Sequence, residues 1–198
     1  MKRIAAASPL LKARIAGVFY LFTILTGIAS LYISGTLGFA VMLFAGVCYM
    51  AVTLLFYDLF KPVSRSLSLV AAAFSVAGFV VGALSWQPQG VNVGLGCFGV
   101  YCLLIGYLIF RSTFLPRVLG ALMAVAGLAY LTFLSPSLAA QLAPFHIAAG
   151  VVGESSLTLW LLVMGVDVQR WKDAASASAP IERAPKGVDK FEGGTVGK

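Results

Sequence analysis

One carboxyl and one imidazole interrupt the apolar stretch "HIAAGVVGESSLTLW" at residues 146 to 160: His146 at its start and Glu154 near its middle. Both side chains exchange protons, and a carboxyl within apolar surroundings is a protonatable binding group. Other chemistry is hard to build from this chain. It has a single histidine, no H-E-x-x-H, no G-x-S-x-G and no paired cysteine ligands. A metal centre on His146 and Glu154 would need further ligands, and the apolar stretches supply no additional Asp or His. No cofactor is expected. An enzyme within the membrane is disfavoured for want of a nucleophile–base pair or a metal cluster.

The elements that must carry these residues follow from composition. Of 198 residues, 60% are hydrophobic and 11% charged, with a mean hydropathy of +0.96. A soluble domain of this size could not cover so much apolar surface. A bilayer core of about 30 Å is crossed by roughly 20 helical residues. Six uncharged stretches fit, at about 15–33, 37–57, 66–86, 93–110, 118–135 and 145–166. The first two form one block split by the turn sequence "SGTLG" at 34–38. Ser8-Pro9 offers a helix cap followed by proline, so the first helix is expected to begin along the membrane surface before turning inward.

Orientation follows from the fourteen Lys and Arg residues. They precede the first span, lie between spans two and three and between four and five, and follow the sixth. The loops near 34–36, 87–92 and 136–144 contain none. The expectation is an all-α six-helix bundle in a prokaryotic cytoplasmic (plasma) membrane, multi-pass, with both termini inside. Residues 1–14 form a basic N-terminal segment, 15–171 the transmembrane domain and 172–198 a disordered cytoplasmic tail rich in small and charged residues. The first helix reads as uncleaved, since no small-residue cleavage site follows a short apolar core. The net charge of +7 then serves orientation and attraction to anionic lipid headgroups, with the lipid bilayer as the main partner. Nucleic acid is not an expected partner, because the charge is scattered over short loops. Cys48, Cys97 and Cys102 read as small buried hydrophobes.

Glu154 lies about nine residues into the sixth span, roughly 13 Å deep. A charged carboxyl facing lipid there costs at least ~2.5 kcal/mol, so it should face the bundle, protonated or hydrogen-bonded. Gly150 and Gly153 on the same helix let another helix press close. His146 lies about 12 Å up the helix, rotated by about 80°, so both side chains can border one outward crevice. Matching depth across spans gives Thr23, Tyr49, Ser75 and Tyr101 as neighbours, with Tyr49 or Tyr101 the simplest bonding partner; the fifth span offers little at that level. Two readings compete. In one, Glu154 is a binding group for a small molecule or proton that the protein holds or translocates, with His146 at the entrance. In the other, Glu154 is a neutral packing residue and the protein an accessory subunit, in a homo-oligomer or against a membrane partner. "GFVVG" at 78–82 is a close-packing G-x-x-x-G pattern, favoured as a contact within the bundle.

Four ordered segments, "SPLLKARIAGVFYLFTILTGIAS" at 8–30, "KPVSRSLSLVAAAF" at 61–74, "GVYCLLIGYLIFRSTFLPRVLGALMAVAGLAYL" at 99–131 and "GESSLTLWLLVMGVDVQRW" at 153–171, resemble the prokaryotic membrane proteins catalogued as domain of unknown function family 4386. The resemblance implies a six-helix integral membrane protein with no assigned activity. It also implies a last helix with a glutamate ahead of a Leu-Trp-Leu-Leu stretch, here Glu154 with Trp160.

Overall fold

Ser8 accepts a hydrogen bond from the Leu11 amide at 3.2 Å, and Pro9 takes the first helical position, where its missing N–H is no loss. Helix α1 therefore runs from Pro9 to Ala29 as one continuous helix, six residues earlier than the uncharged run begins. Lys12 and Arg14 are tolerated in its first turns for different reasons: Lys12 is buried and pairs with Asp58, while Arg14 is exposed. The computed structural model describes residues 8–30 and 32–178. The first seven residues of the basic N-terminal segment and residues 179–198 of the tail lie outside the described residues.

Helix α2 spans Gly35–Phe60, α3 Arg65–Ala83, α4 Val93–Arg111 and α5 Arg117–Leu131, the last continued by a 3₁₀ turn at Thr132–Leu134. A short α6, Pro136–Gln141, leads into α7, Ala143–Val163, and α8, Val168–Ser178, ends the described chain. The described residues contain no strand. Helices α1 to α5 are each long and apolar enough to cross a bilayer; α7 and α8, bent by 101°, bring the number to six if the pair counts as one span.

Gly165 makes that bend. Its φ of 69° lies in the left-handed region that glycine adopts freely, and its amide bonds back to Trp160 O at 2.9 Å, closing the end of α7. Helix α8 continues to Ser178, seven residues into the segment whose composition suggests a tail. What orders it is anchoring. Trp171 Nε1 donates to Leu59 O at 2.8 Å, Arg170 Nη1 donates to Thr113 O at 3.1 Å, and Asp167 accepts from the Arg170 amide. Composition registers only the lack of a core-forming face, so it misses contacts made by two side chains.

Each long helix packs on the next, α1 on α2 through to α5 on α7, and α7 returns to α1, closing an up-and-down ring. Glycines set the tightest contact. A Cβ on Gly106 would come within 2.7 Å of Gly120 O, and one on Gly99 within 2.9 Å of Gly127 O, so α4 and α5 meet backbone to backbone. Gly78 and Gly82 of the G-x-x-x-G pattern both meet Gly94 of α4, which makes that pattern an internal contact.

Candidate functional site

The buried side chains are unevenly distributed along the ring. In the half that carries the basic loops, Phe56, Phe60, Ile105, Leu108, Ile109, Met123, Leu157 and Leu161 fill the centre. Toward the other end, no buried side chain follows Tyr20 on α1, and most buried positions on α4 and α7 are glycines. At the boundary between the two halves stand Tyr20, Tyr49, Ser75, Tyr101, Tyr130 and Glu154. Tyr20 and Tyr101 are closed off almost completely, whereas Tyr49, Phe98, Tyr130 and Glu154 keep part of their surface exposed.

Glu154 is aimed inward by the small residues around it. A Cβ on Gly153 would press within 2.8 Å of Leu122 O, so α7 lies directly against α5 at that turn. A Cβ on Gly150 would collide with the Tyr130 hydroxyl. Through the space glycine leaves, Tyr130 Oη donates to Glu154 Oε1 at 2.5 Å. The Tyr20 hydroxyl also lies beside the carboxyl, without closing a hydrogen bond of normal geometry.

Depth matching gives Thr23, Tyr49, Ser75 and Tyr101 as neighbours of Glu154; of these, Tyr49, Ser75 and Tyr101 lie against one another. Ser75 Oγ donates to Tyr49 Oη at 2.7 Å and lies 2.6 Å from Thr53 Oγ1. The Tyr49 and Tyr101 rings meet edge to face at 6.3 Å. Phe98 joins them, 5.9 Å from Tyr49, 5.7 Å from Tyr101 and 5.0 Å from Tyr130, making a continuous aromatic wall. The bond to Glu154, however, comes from Tyr130 on α5, in place of Tyr49 or Tyr101. Thr23 spends its hydroxyl on Phe19 O one turn back.

His146 is not part of this group. It is buried against the Phe133 ring, with centroids 4.5 Å apart, and its Nδ1 lies 3.4 Å from Thr132 Oγ1. It packs under the 3₁₀ turn that ends α5, instead of facing outer water as an interfacial residue would. No group of three or more potential metal ligands occurs among the described residues. Two grooves lie elsewhere: one of about 440 Å³ between the outer faces of α5 and α7, including Pro116, Ser156 and Trp160, and one of about 380 Å³ beneath α8, including Arg111 and Thr113.

Fold and site together define an all-helical, membrane-type bundle with a half-buried carboxyl among its helices. Residues 81–165 match the family described as Domain of unknown function (DUF4386), bearing out the resemblance over the segment that carries Tyr101, Tyr130, His146 and Glu154. A protein of Archaeoglobus fulgidus described as "Uncharacterized protein" is 28% identical over 120 residues, covering 55% of this chain and 72% of that relative. No solved structure matches this chain.

Proposed function

We propose that the protein is a six-span protein of the prokaryotic cytoplasmic membrane, with both termini inside, that binds a small molecule or proton at Glu154. One observation carries this reading. Glu154 is a half-buried carboxyl, bonded to Tyr130, with aromatic and hydroxyl side chains from α1, α2, α4 and α5 around it. A residue needed for packing alone would be served as well by glutamine, which keeps the shape and an acceptor for Tyr130. An ionisable group is costly in this setting and is retained where its proton or charge is used. The basic residues Lys61, Arg65, Arg111 and Arg117 lie at the filled end, which would meet cytoplasmic water and anionic headgroups.

Infrared difference spectroscopy on the purified protein tests the reading through the protonated-carboxyl band. A band that responds to pH in the wild type and vanishes in Glu154→Gln is the expected result. A carboxyl that never changes protonation, in a protein whose stability is unchanged by Glu154→Gln, overturns it.

A further inference from the structure

We propose that the cleft beneath α8 binds a phosphate group, carried by a lipid headgroup or by a small soluble phosphate. The cleft, of about 380 Å³, stands at the basic end of the bundle and owes nothing to Glu154. Its walls follow from how three chain segments meet. Helix α4 stops at Arg111, where Ser112 turns to extended backbone and its hydroxyl donates to Ile109 O at 2.8 Å. Phe114 stacks on Phe60 with centroids 6.0 Å apart, which fixes the far side of Thr113. Opposite, the turn after α2 supplies Pro62 and Val63, closed by the Val63 amide on Phe60 O at 2.9 Å. Helix α8 roofs both turns with Ala174 and Ala177, whose small side chains leave the space beneath them open. The roof is tied to the wall by the Asp167 amide on Phe114 O at 3.2 Å and by Arg170 on Thr113 O at 3.1 Å.

Charge decides what the cleft takes. Among the described residues no carboxylate lines it. At this end of the bundle Asp58 pairs with Lys12 and Lys61, and Asp167 with Arg170. Arg111, which does line the cleft, has no carboxylate partner among the described residues; its guanidinium carbon stands 5.9 Å from the Tyr107 ring centroid. The Thr113 hydroxyl likewise makes no hydrogen bond among them. A guanidinium fork matches two oxygens of a carboxylate or a phosphate, but a phosphate keeps further oxygens to accept from a hydroxyl beside the fork. Position favours phosphate as well, because the cleft lies where α2 and α4 end, the level at which a spanning bundle meets headgroups. Its volume falls in the range of small-ligand clefts, roughly 300–1,000 Å³, so a phosphate fits together with a short carbon skeleton against Pro62, Val63 and the two alanines. A phosphate seated there touches both α8 and the turn that α8 is tied to, so occupancy should hold the helix down.

Thermal unfolding of the full-length protein in neutral detergent tests this. Inorganic phosphate is compared with chloride at matched ionic strength, and dioleoyl phosphatidic acid with dioleoylglycerol in mixed micelles. A saturable rise in unfolding temperature is expected, with slower amide exchange confined to residues 168–178. Stabilisation by inorganic phosphate assigns a soluble ligand, and stabilisation by phosphatidic acid alone assigns a headgroup. Arg111→Gln should weaken the affinity on the order of tenfold to a hundredfold, the size of hydrogen bonds to a charged group. Arg14→Gln, an exposed position on α1 outside the cleft, should leave it unchanged. Thr113→Val keeps the shape without the hydroxyl and should weaken it about fivefold, which keeps the proposal testable if Arg111→Gln fails to fold. No saturable effect of either phosphate overturns the proposal. So do equal effects of phosphatidic acid and dioleoylglycerol, or equal losses in Arg111→Gln and Arg14→Gln, which would mark diffuse attraction to the basic end.

Discussion

Tyr130 on α5 donates to Glu154 on α7 across a gap that exists because residue 150 has no side chain. Tyr130→Phe removes the donor and leaves the ring, so its cost isolates the hydrogen bond. Within membrane bundles such bonds average about 0.6 kcal/mol and reach about 1.7 kcal/mol. A stability loss of about 1 kcal/mol is expected from unfolding measurements. Gly150→Ala should cost at least as much by pushing the Tyr130 hydroxyl away, and combining the two changes should cost less than their sum, since both break one bond. Full additivity would show that Gly150 and Tyr130 act separately.

The glycine ladder between α4 and α5 makes a sharper contrast. A methyl on Gly106 or Gly120 would approach the partner helix backbone to 2.7 or 2.6 Å, and a backbone has no rotamer by which to move aside. Gly106→Ala should destabilise by about 1–3 kcal/mol, the usual range for overpacking. Gly27→Ala meets nothing within 4 Å and should be neutral or slightly stabilising, given alanine's better helix propensity. Thermal unfolding of the two variants side by side checks the difference. Similar costs would mean that α4 and α5 are not in backbone contact.

Why depth matching gives Thr23, Tyr49, Ser75 and Tyr101 but misses Tyr130, the residue bonded to Glu154, has a directional explanation. Counting residues places Cα atoms, and by that count Tyr130 stands near the far end of α5. Helical side chains lean toward the N-terminus of their own helix. In antiparallel neighbours the two leans oppose: Tyr130 reaches back toward the basic end and Glu154 reaches away from it, so they meet between their Cα levels. Tyr20 escapes notice for a related reason, since its helix begins six residues before the uncharged run that defines the span. What is legible is what a bilayer imposes: long apolar helices, charged ends and an inward-facing carboxyl. What is not legible depends on side-chain direction and on single anchoring bonds such as Trp171 to Leu59.

At the basic end Asp58 pairs with both Lys12 and Lys61, but the two lysines stand in different surroundings. The side chain of Lys12 is 7% exposed and that of Lys61 is 46% exposed. An exposed pair contributes about 0–1 kcal/mol, so Lys61→Ala should barely register. Asp58→Asn takes the carboxylate from a buried ammonium and should cost about 1–3 kcal/mol, below the range for fully buried pairs because Asp58 itself is a quarter exposed. Sodium chloride titration adds a check: screening should erode any contribution of Lys61 and leave most of that of Lys12. Equal effects of the two substitutions would contradict this ordering.

Helix α8 is held to the bundle by few contacts, which makes its attachment separable from the fold. Trp171 lies partly buried against the core, and its indole N–H reaches across to Leu59 O at the end of α2. Trp171→Phe keeps an aromatic body but loses the donor and should release α8 locally with little change in global stability. Amide hydrogen exchange reads the two apart, because local opening and global unfolding expose different amides. Faster exchange confined to residues 168–178, with α4 and α5 still protected, is the expected pattern. Arg170→Ala removes the second tether, to Thr113 O, and should add to the effect only within that segment. Exchange that quickens through α2 and α4 in either variant would instead make α8 an integral part of the bundle's cooperative core.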